Sequence, residues 1–195
     1  MITRHQKASR LAQRARVVWL YGLSGAGKTT LATGLEARLF AAGLTTHVLD
    51  GDALRTGLSQ GLGFNDADRT ENIRRAAEAA RLLADAGVIV ICAFITPRQA
   101  LRDLARRIIG PDDFLEVYVN ASFATCAQRD PKGLYAKADR GSLPQFTGRD
   151  SAFEAPIASD RILILDTEKQ SIEASLTQLQ AFVHPRMQPA GPDRS

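Results

Sequence analysis

A lysine and a threonine placed behind a run of spaced glycines can hold a triphosphate, and Gly22-Leu23-Ser24-Gly25-Ala26-Gly27-Lys28-Thr29-Thr30 is such a run. It satisfies the pattern G-x-x-x-x-G-K-[ST] from Gly22 to Thr29. Gly22, Gly25 and Gly27 lack a Cβ, so the backbone can wrap a phosphate and turn its N–H groups inward. A helix starting behind the loop adds its unsatisfied N–H groups and positive dipole end. Lys28 supplies a point charge for the β- and γ-phosphates, and the Thr29 hydroxyl is a ligand for Mg²⁺. A second chemical pair, Asp50 and Asp52, alternates about Gly51 behind an apolar stretch. Phosphoryl transfer needs such carboxylates. One can hold a metal-bound water while the other receives or orients the acceptor hydroxyl, and the sequence leaves open which does which.

These groups need a scaffold that converges on one edge. Val17–Tyr21 reads as a buried strand before the glycine loop, and Leu31, Leu35 and Leu39 recur at helical spacing behind it, with Gly43 as the stop. Residues 46–49 form a second strand that delivers Asp50 and Asp52. Residues 69–86 form the longest helical pattern, and the unbroken apolar run Val88–Ile95 suits a central parallel strand. Pro97 opens a helix ending near Gly110; residues 114–119 and 161–165 are two further strands; helices follow through Arg129 and over 171–183. Alternation of this kind requires an α/β fold, a five-stranded parallel sheet with helices on both faces. Ligands of such sheets gather at the carboxyl ends of the strands, where the glycine loop, Asp50, Asp52, Thr96, Arg129 and Asp130 all fall.

Residues 130–155 break the alternation with Pro131, Gly133, Gly141, Pro144 and Gly148 among Lys132, Lys137, Arg140 and Arg149. Glycine hinges and cations suit a lid that closes over phosphates and expels water. Residues 1–16 carry five cations and no acid and read as a basic arm packed on the domain 17–183, rather than a transit segment. The tail from His184 to Ser195, polar and proline-rich, reads as disordered.

The 195 residues bound the chain to one domain with a substantial core, 45% hydrophobic and 24% charged. No apolar run approaches the roughly 18 residues that span a bilayer. A net charge of +4 suits a polyanionic small substrate. Clustered basic and aromatic residues, the footprint of nucleic-acid binding, are missing from the sequence. Cys92 and Cys126, the two cysteines, fall in apolar settings and read as reduced thiols in a cytoplasmic protein, without metal-ligand spacing.

Further segments carry a family resemblance. Leu49-Asp50-Gly51-Asp52-x-x-Arg55-x-x-Leu58, Gly61-Leu62-Gly63-Phe64, Asp68-Arg69-x-x-Asn72-Ile73-Arg74-Arg75, Ala93-Phe94-Ile95-Thr96-Pro97, Arg129–Tyr135 and Phe146-Thr147-Gly148 resemble adenylylsulfate kinase, in order and in register over roughly residues 15–180. The resemblance implies a P-loop kinase that moves the γ-phosphate of MgATP to the 3′-hydroxyl of adenosine 5′-phosphosulfate, in sulfate assimilation. By that likeness Arg129 joins Gly22–Thr30 in ATP binding. Asp52, Arg55, Phe64, Arg69, Asn72, Ile95, Thr96, Lys132 and Phe146 hold the substrate, with Phe64 stacked on its adenine. Thr29 and, through a water, Asp50 serve Mg²⁺; Lys28, Asp50 and Asp52 serve catalysis, with Asp50 expected near the attacking 3′-oxygen and Asp52 able to exchange roles with it. A homodimer and an association with ATP sulfurylase are expected on the same ground. Two departures stand out. Many bacterial members have serine, associated with a phosphoenzyme, where Thr96 stands; direct in-line transfer with Thr96 lining the pocket is the expectation here. Relatives often have tyrosine at Phe153.

Rival readings are a kinase of the same architecture for a sugar-like or shikimate-like alcohol, and a catalytically dead nucleotide-binding domain, which could lose Lys28, Asp50 and Asp52 freely. A GTPase switch lacks its N-K-x-D-type guanine-reading segment in this sequence.

Overall fold

The computed structural model describes residues 2–131, 133–139, 147 and 152–188. Of the substrate residues expected above, Lys132 and Phe146 lie outside this set, as do Arg140, Arg149 and the last seven residues.

The five strands are β1 (Val17–Tyr21), β2 (Thr46–Asp50), β3 (Ile89–Phe94), β4 (Phe114–Asn120) and β5 (Ile162–Asp166). They form one all-parallel sheet in the order β2-β3-β1-β4-β5. β1 is central and wholly buried, which is why its five residues show no polar alternation. Its even residues Val18 and Leu20 enter one core with α2 (Lys28–Ala41) and α8 (Ile172–Met187). Its odd residues Val17, Trp19 and Tyr21 enter the other, with α4 (Asp66–Asp85) and α5 (Gln99–Ile109). The two buried thiols separate the same way, Cys126 with the first core and Cys92 with the second.

Register decides where the loops emerge. Tyr21 lies opposite both Phe94 and Tyr118, Asp50 opposite Ala93, and Asp166 opposite Asn120. All five strands therefore end along one line. The loop after β1 leaves that line where the winding changes sides, β2 and β3 lying to one side and β4 and β5 to the other.

Three further helices, α3 (Gly51–Arg55), α6 (Phe123–Arg129) and α7 (Leu134–Asp139), project from this edge. Only α6 was expected. α3 is a single short turn capped by its own Asp50, whose carboxylate accepts from the Asp52 N–H at 2.9 Å. α7 places a helical turn inside the expected lid, started by the Asp130 carboxylate accepting from the N–H groups of Tyr135 and Ala136. Longer periodic helices were legible from pattern; these depend on one cap each.

At the opposite edge, α1 (Arg4–Leu11) starts on a capping box of Thr3 and Gln6. Arg4 and Arg16 both pair with Asp113, and the fully buried Gln13 amide donates to Thr45 O at 3.0 Å and Gly87 O at 2.8 Å. The expected disordered tail needs correction at its start. α8 continues through His184 and Pro185 to Met187, because Val183 and Met187 stand one turn apart and are both fully buried. The Met187 carbonyl also accepts the Arg14 N–H at 2.7 Å.

Candidate active site

A cavity of about 770 Å³ opens along the carboxyl edge of the sheet, within the usual size for a small-molecule site. The loop Ser24–Thr30 forms one limb. The N-cap residue of α2 is Gly27, whose φ of 100° is open to glycine at little cost and which offers no side-chain cap. The first N–H groups of α2 thus remain for an anion. Gly22 and Leu23 stand outside the cavity, a difference from the expected set. A Cβ at Gly22 would collide with the Val119 carbonyl, and the Leu23 side chain enters the core. Their carbonyls instead accept from Lys28 Nζ, at 3.0 and 2.7 Å.

Thr29 and Asp50 meet at the mouth of this limb, the hydroxyl donating to Asp50 Oδ2 at 2.8 Å. Two hard oxygens held side by side beside a phosphate loop fit Mg²⁺, which takes one or two protein oxygens and fills its octahedron with water and phosphate. Asp52 also lines the cavity, near Arg55, whose charge it helps to sustain.

The other limb is carried by α3, by the turn at residues 61–65, and by α4. Asn65 caps α4 by accepting the Asp68 N–H at 2.8 Å, and Asp68 in turn accepts from the Gly63 N–H at 2.9 Å. That fixes Phe64, which is 53% exposed and carries the Arg55 guanidinium 4.2 Å over one face of its ring. Arg55 Nη1 donates to Leu62 O and Gly63 O, and Arg69 donates to Phe64 O at 2.6 Å and Thr147 Oγ1 at 2.7 Å. Burial lowers the pKa of both arginines, and the neighbouring Arg55 charge lowers that of Arg69 further. Asn72 is buried one turn further on, and its Oδ1 has no hydrogen-bond partner among the described residues. A buried acceptor of this kind is costly unless a ligand supplies the donor. Arg74 and Arg75 do not line the cavity. They hold Glu71, whose carboxyl they bring down to about 2.

Ile95, Thr96 and Pro97, after β3, form the wall between the limbs. Thr96 is buried, and its hydroxyl accepts from Trp19 Nε1 at 3.0 Å. Phe153 stacks on Tyr118 and Tyr21, with centroids 5.7 and 6.5 Å away.

Thr147, named from the sequence only within a motif, also lines the cavity, and so do Thr167, Gln170–Ile172 and Ser175 behind β5, to which no role had been assigned. Arg129 is fixed there, donating to Thr167 Oγ1 at 3.1 Å and Thr167 O at 2.6 Å. The available signal was positional, because the carboxyl end of the fifth strand had to reach the same edge. No helix among the described residues is long and apolar enough to cross a membrane, and no cluster of three or more His, Cys, Asp or Glu there could hold a metal ion.

A five-stranded parallel sheet with a glycine loop, an open helix start and a second, cationic limb defines a P-loop kinase for a small acceptor. The particular family follows from comparison: residues 14–164 match the adenylylsulphate kinase family, and the chain belongs to it. An adenylyl-sulfate kinase of Bacteroides fragilis is 49% identical over 187 residues, covering 96% of this chain and 92% of the relative. One from Vibrio cholerae serotype O1 is 50% identical over 182 residues, covering 93% and 84%. The solved Mycobacterium tuberculosis APS kinase in complex with AMPPNP and APS superposes with a TM-score of 0.81 at 41% identity, covering 88% of this chain and 98% of that one.

Proposed function

We propose that the protein transfers the γ-phosphate of ATP to the 3′-hydroxyl of adenosine 5′-phosphosulfate, giving 3′-phosphoadenylylsulfate and ADP. The observation that carries this reading is the continuity of the two limbs: the loop Ser24–Thr30 and the group Arg55, Phe64, Arg69 and Asn72 line one cavity. The solved relative named for AMPPNP and APS together supports the same pairing.

In this reading Ser24–Thr30 and the start of α2 bind the triphosphate, and Arg129 with the turn after β5 borders the donor base. Lys28 leaves its loop carbonyls for the β- and γ-phosphate oxygens and neutralises the charge that moves in the transition state. Mg²⁺ held by Thr29 and, through water, by Asp50 would supply further charge neutralisation. The bond from Thr29 to Asp50 supports a metal-side role for Asp50, and in this reading Asp52 takes the exchanged role of receiving or orienting the acceptor proton. Arg55 and Arg69 suit the phosphosulfate because a guanidinium makes planar, paired contacts. Phe64 offers its free face to the adenine. Lys132 and Phe146, outside the described residues, keep the substrate-binding roles that the resemblance implies. The assembly expected with this activity is a homodimer.

ADP release followed in a coupled assay, with and without adenosine 5′-phosphosulfate and with EDTA as a control, tests the proposal. Release that depends on both the acceptor and divalent metal is expected. Release indifferent to the acceptor, or stronger with a sugar alcohol, would overturn it.

A further inference from the structure

Thr96 has φ 40°, the left-handed region, in which a β-branched residue is strained. Such a conformation persists only when its surroundings over-determine it. They do so from three directions. The Gly22 N–H donates to Ile95 O at 3.3 Å, Trp19 Nε1 donates to Thr96 Oγ1, and Arg102 Nη1 donates to Thr96 O at 3.2 Å. Arg102, on α5, is 1% exposed; behind the turn its Nη2 donates to Gln99 Oε1 at 2.8 Å, and its Nε, without a hydrogen-bond partner among the described residues, lies in ion-pair range of Glu116 Oε1 at 3.8 Å. Glu116, equally buried in β4, is held by the Tyr21 hydroxyl at 2.8 Å and by Arg106. Apolar side chains of the same volume would fill this space with less desolvation, but could not grip a carbonyl.

We infer that Arg102, oriented by Glu116, is a positioning residue that clamps the Thr96 peptide in its left-handed form and thereby shapes the acceptor side of the cavity. The side is set by Arg98, whose ion pair with Asp66 at 2.7 Å ties this turn to the first turn of α4, the helix that carries Arg69 and Asn72. The inference rests on the kinase reading above and adds a residue that touches neither nucleotide.

A double-substitution cycle tests it. Lysine at 102 keeps the charge beside Glu116 but loses the fork. Arg102→Lys is expected to raise KM for adenosine 5′-phosphosulfate about tenfold, the size of one lost hydrogen bond to a charged group. KM for ATP should stay within about twofold, as for an uncoupled site. Glycine enters the left-handed region freely, so in a Thr96→Gly background the same Arg102→Lys change should move the acceptor KM by less than about twofold. Equal rises in both backgrounds, equal rises in both KM values, or no rise would overturn the inference. If Arg102→Lys does not fold, Trp19→Phe removes the indole N–H that holds the same turn, together with part of a buried ring, and must show the same split between the two KM values; a rise in neither or in both overturns it. A wild-type protein inactive on adenosine 5′-phosphosulfate removes the kinase reading itself, whereas an active one with an indifferent Arg102→Lys variant removes only this clamp.

Discussion

Replacing Phe64 by alanine separates a binding surface from a core residue. The ring is 53% exposed, and its contact in the folded chain is the Arg55 guanidinium 4.2 Å over one face. Losing an exposed cation–π contact costs about 0.5–1 kcal/mol. At roughly 2–4 °C per kcal/mol for a chain of this size, Tm should fall by about 1–4 °C. The loop itself should survive, since Arg55 still donates to Leu62 O and Gly63 O and Asp68 still accepts from Gly63. The larger loss falls on the acceptor. Stacking a base on an aromatic ring is worth about 1–3 kcal/mol, a roughly 5- to 150-fold rise in KM for adenosine 5′-phosphosulfate. KM for ATP should hold, because the donor limb is formed by other residues. Initial-rate kinetics in both substrates, with a thermal melt of each protein, give the answer. An unchanged acceptor KM would refute the reasoning, and so would a Tm fall of more than about 10 °C, several kcal/mol and the mark of a core residue.

Lys28→Ala should lower kcat by at least about 10²–10³-fold, as loss of one transition-state charge stabiliser does, and near-normal turnover in a coupled assay would remove Lys28 from the chemistry. Asp113→Asn leaves the buried Arg16 without its counter-charge; at about 3 kcal/mol for a broken buried pair and 2–4 °C per kcal/mol, Tm should drop by roughly 6–12 °C in a melt, with activity per folded molecule retained at 25 °C. Glu168 is held at about 2 by hydrogen bonds from the Ser122 hydroxyl, Thr125 and the Ser122 N–H. A depressed carboxyl stabilises the fold above its unfolded pKa and loses that contribution as pH falls through its folded one. The Tm difference between wild type and Glu168→Gln should therefore be full at pH 7 and close between about pH 4.5 and 2; a difference constant across that range would show that the charge is not what matters.

The sequence by itself determined the alternation of strands and helices, the phosphate loop and the pair Asp50/Asp52, because buried parallel strands and a glycine-lysine loop leave local patterns that survive in one dimension. The contiguous motifs named the family for the same reason. Phe64 shows where that stopped: its residue type suited both a core and a stacking platform, and only the fold shows it exposed rather than buried. Tertiary structure also brought Thr29 and Asp50 together, in a bond that joins residues 21 positions apart. It carried α8 past Pro185, because Met187 fills a core that no local rule describes. It alone brought Arg102, Glu116 and Trp19 behind Thr96: a buried arginine, a strand glutamate and an indole have no shared spacing, and their common task exists only where three elements meet.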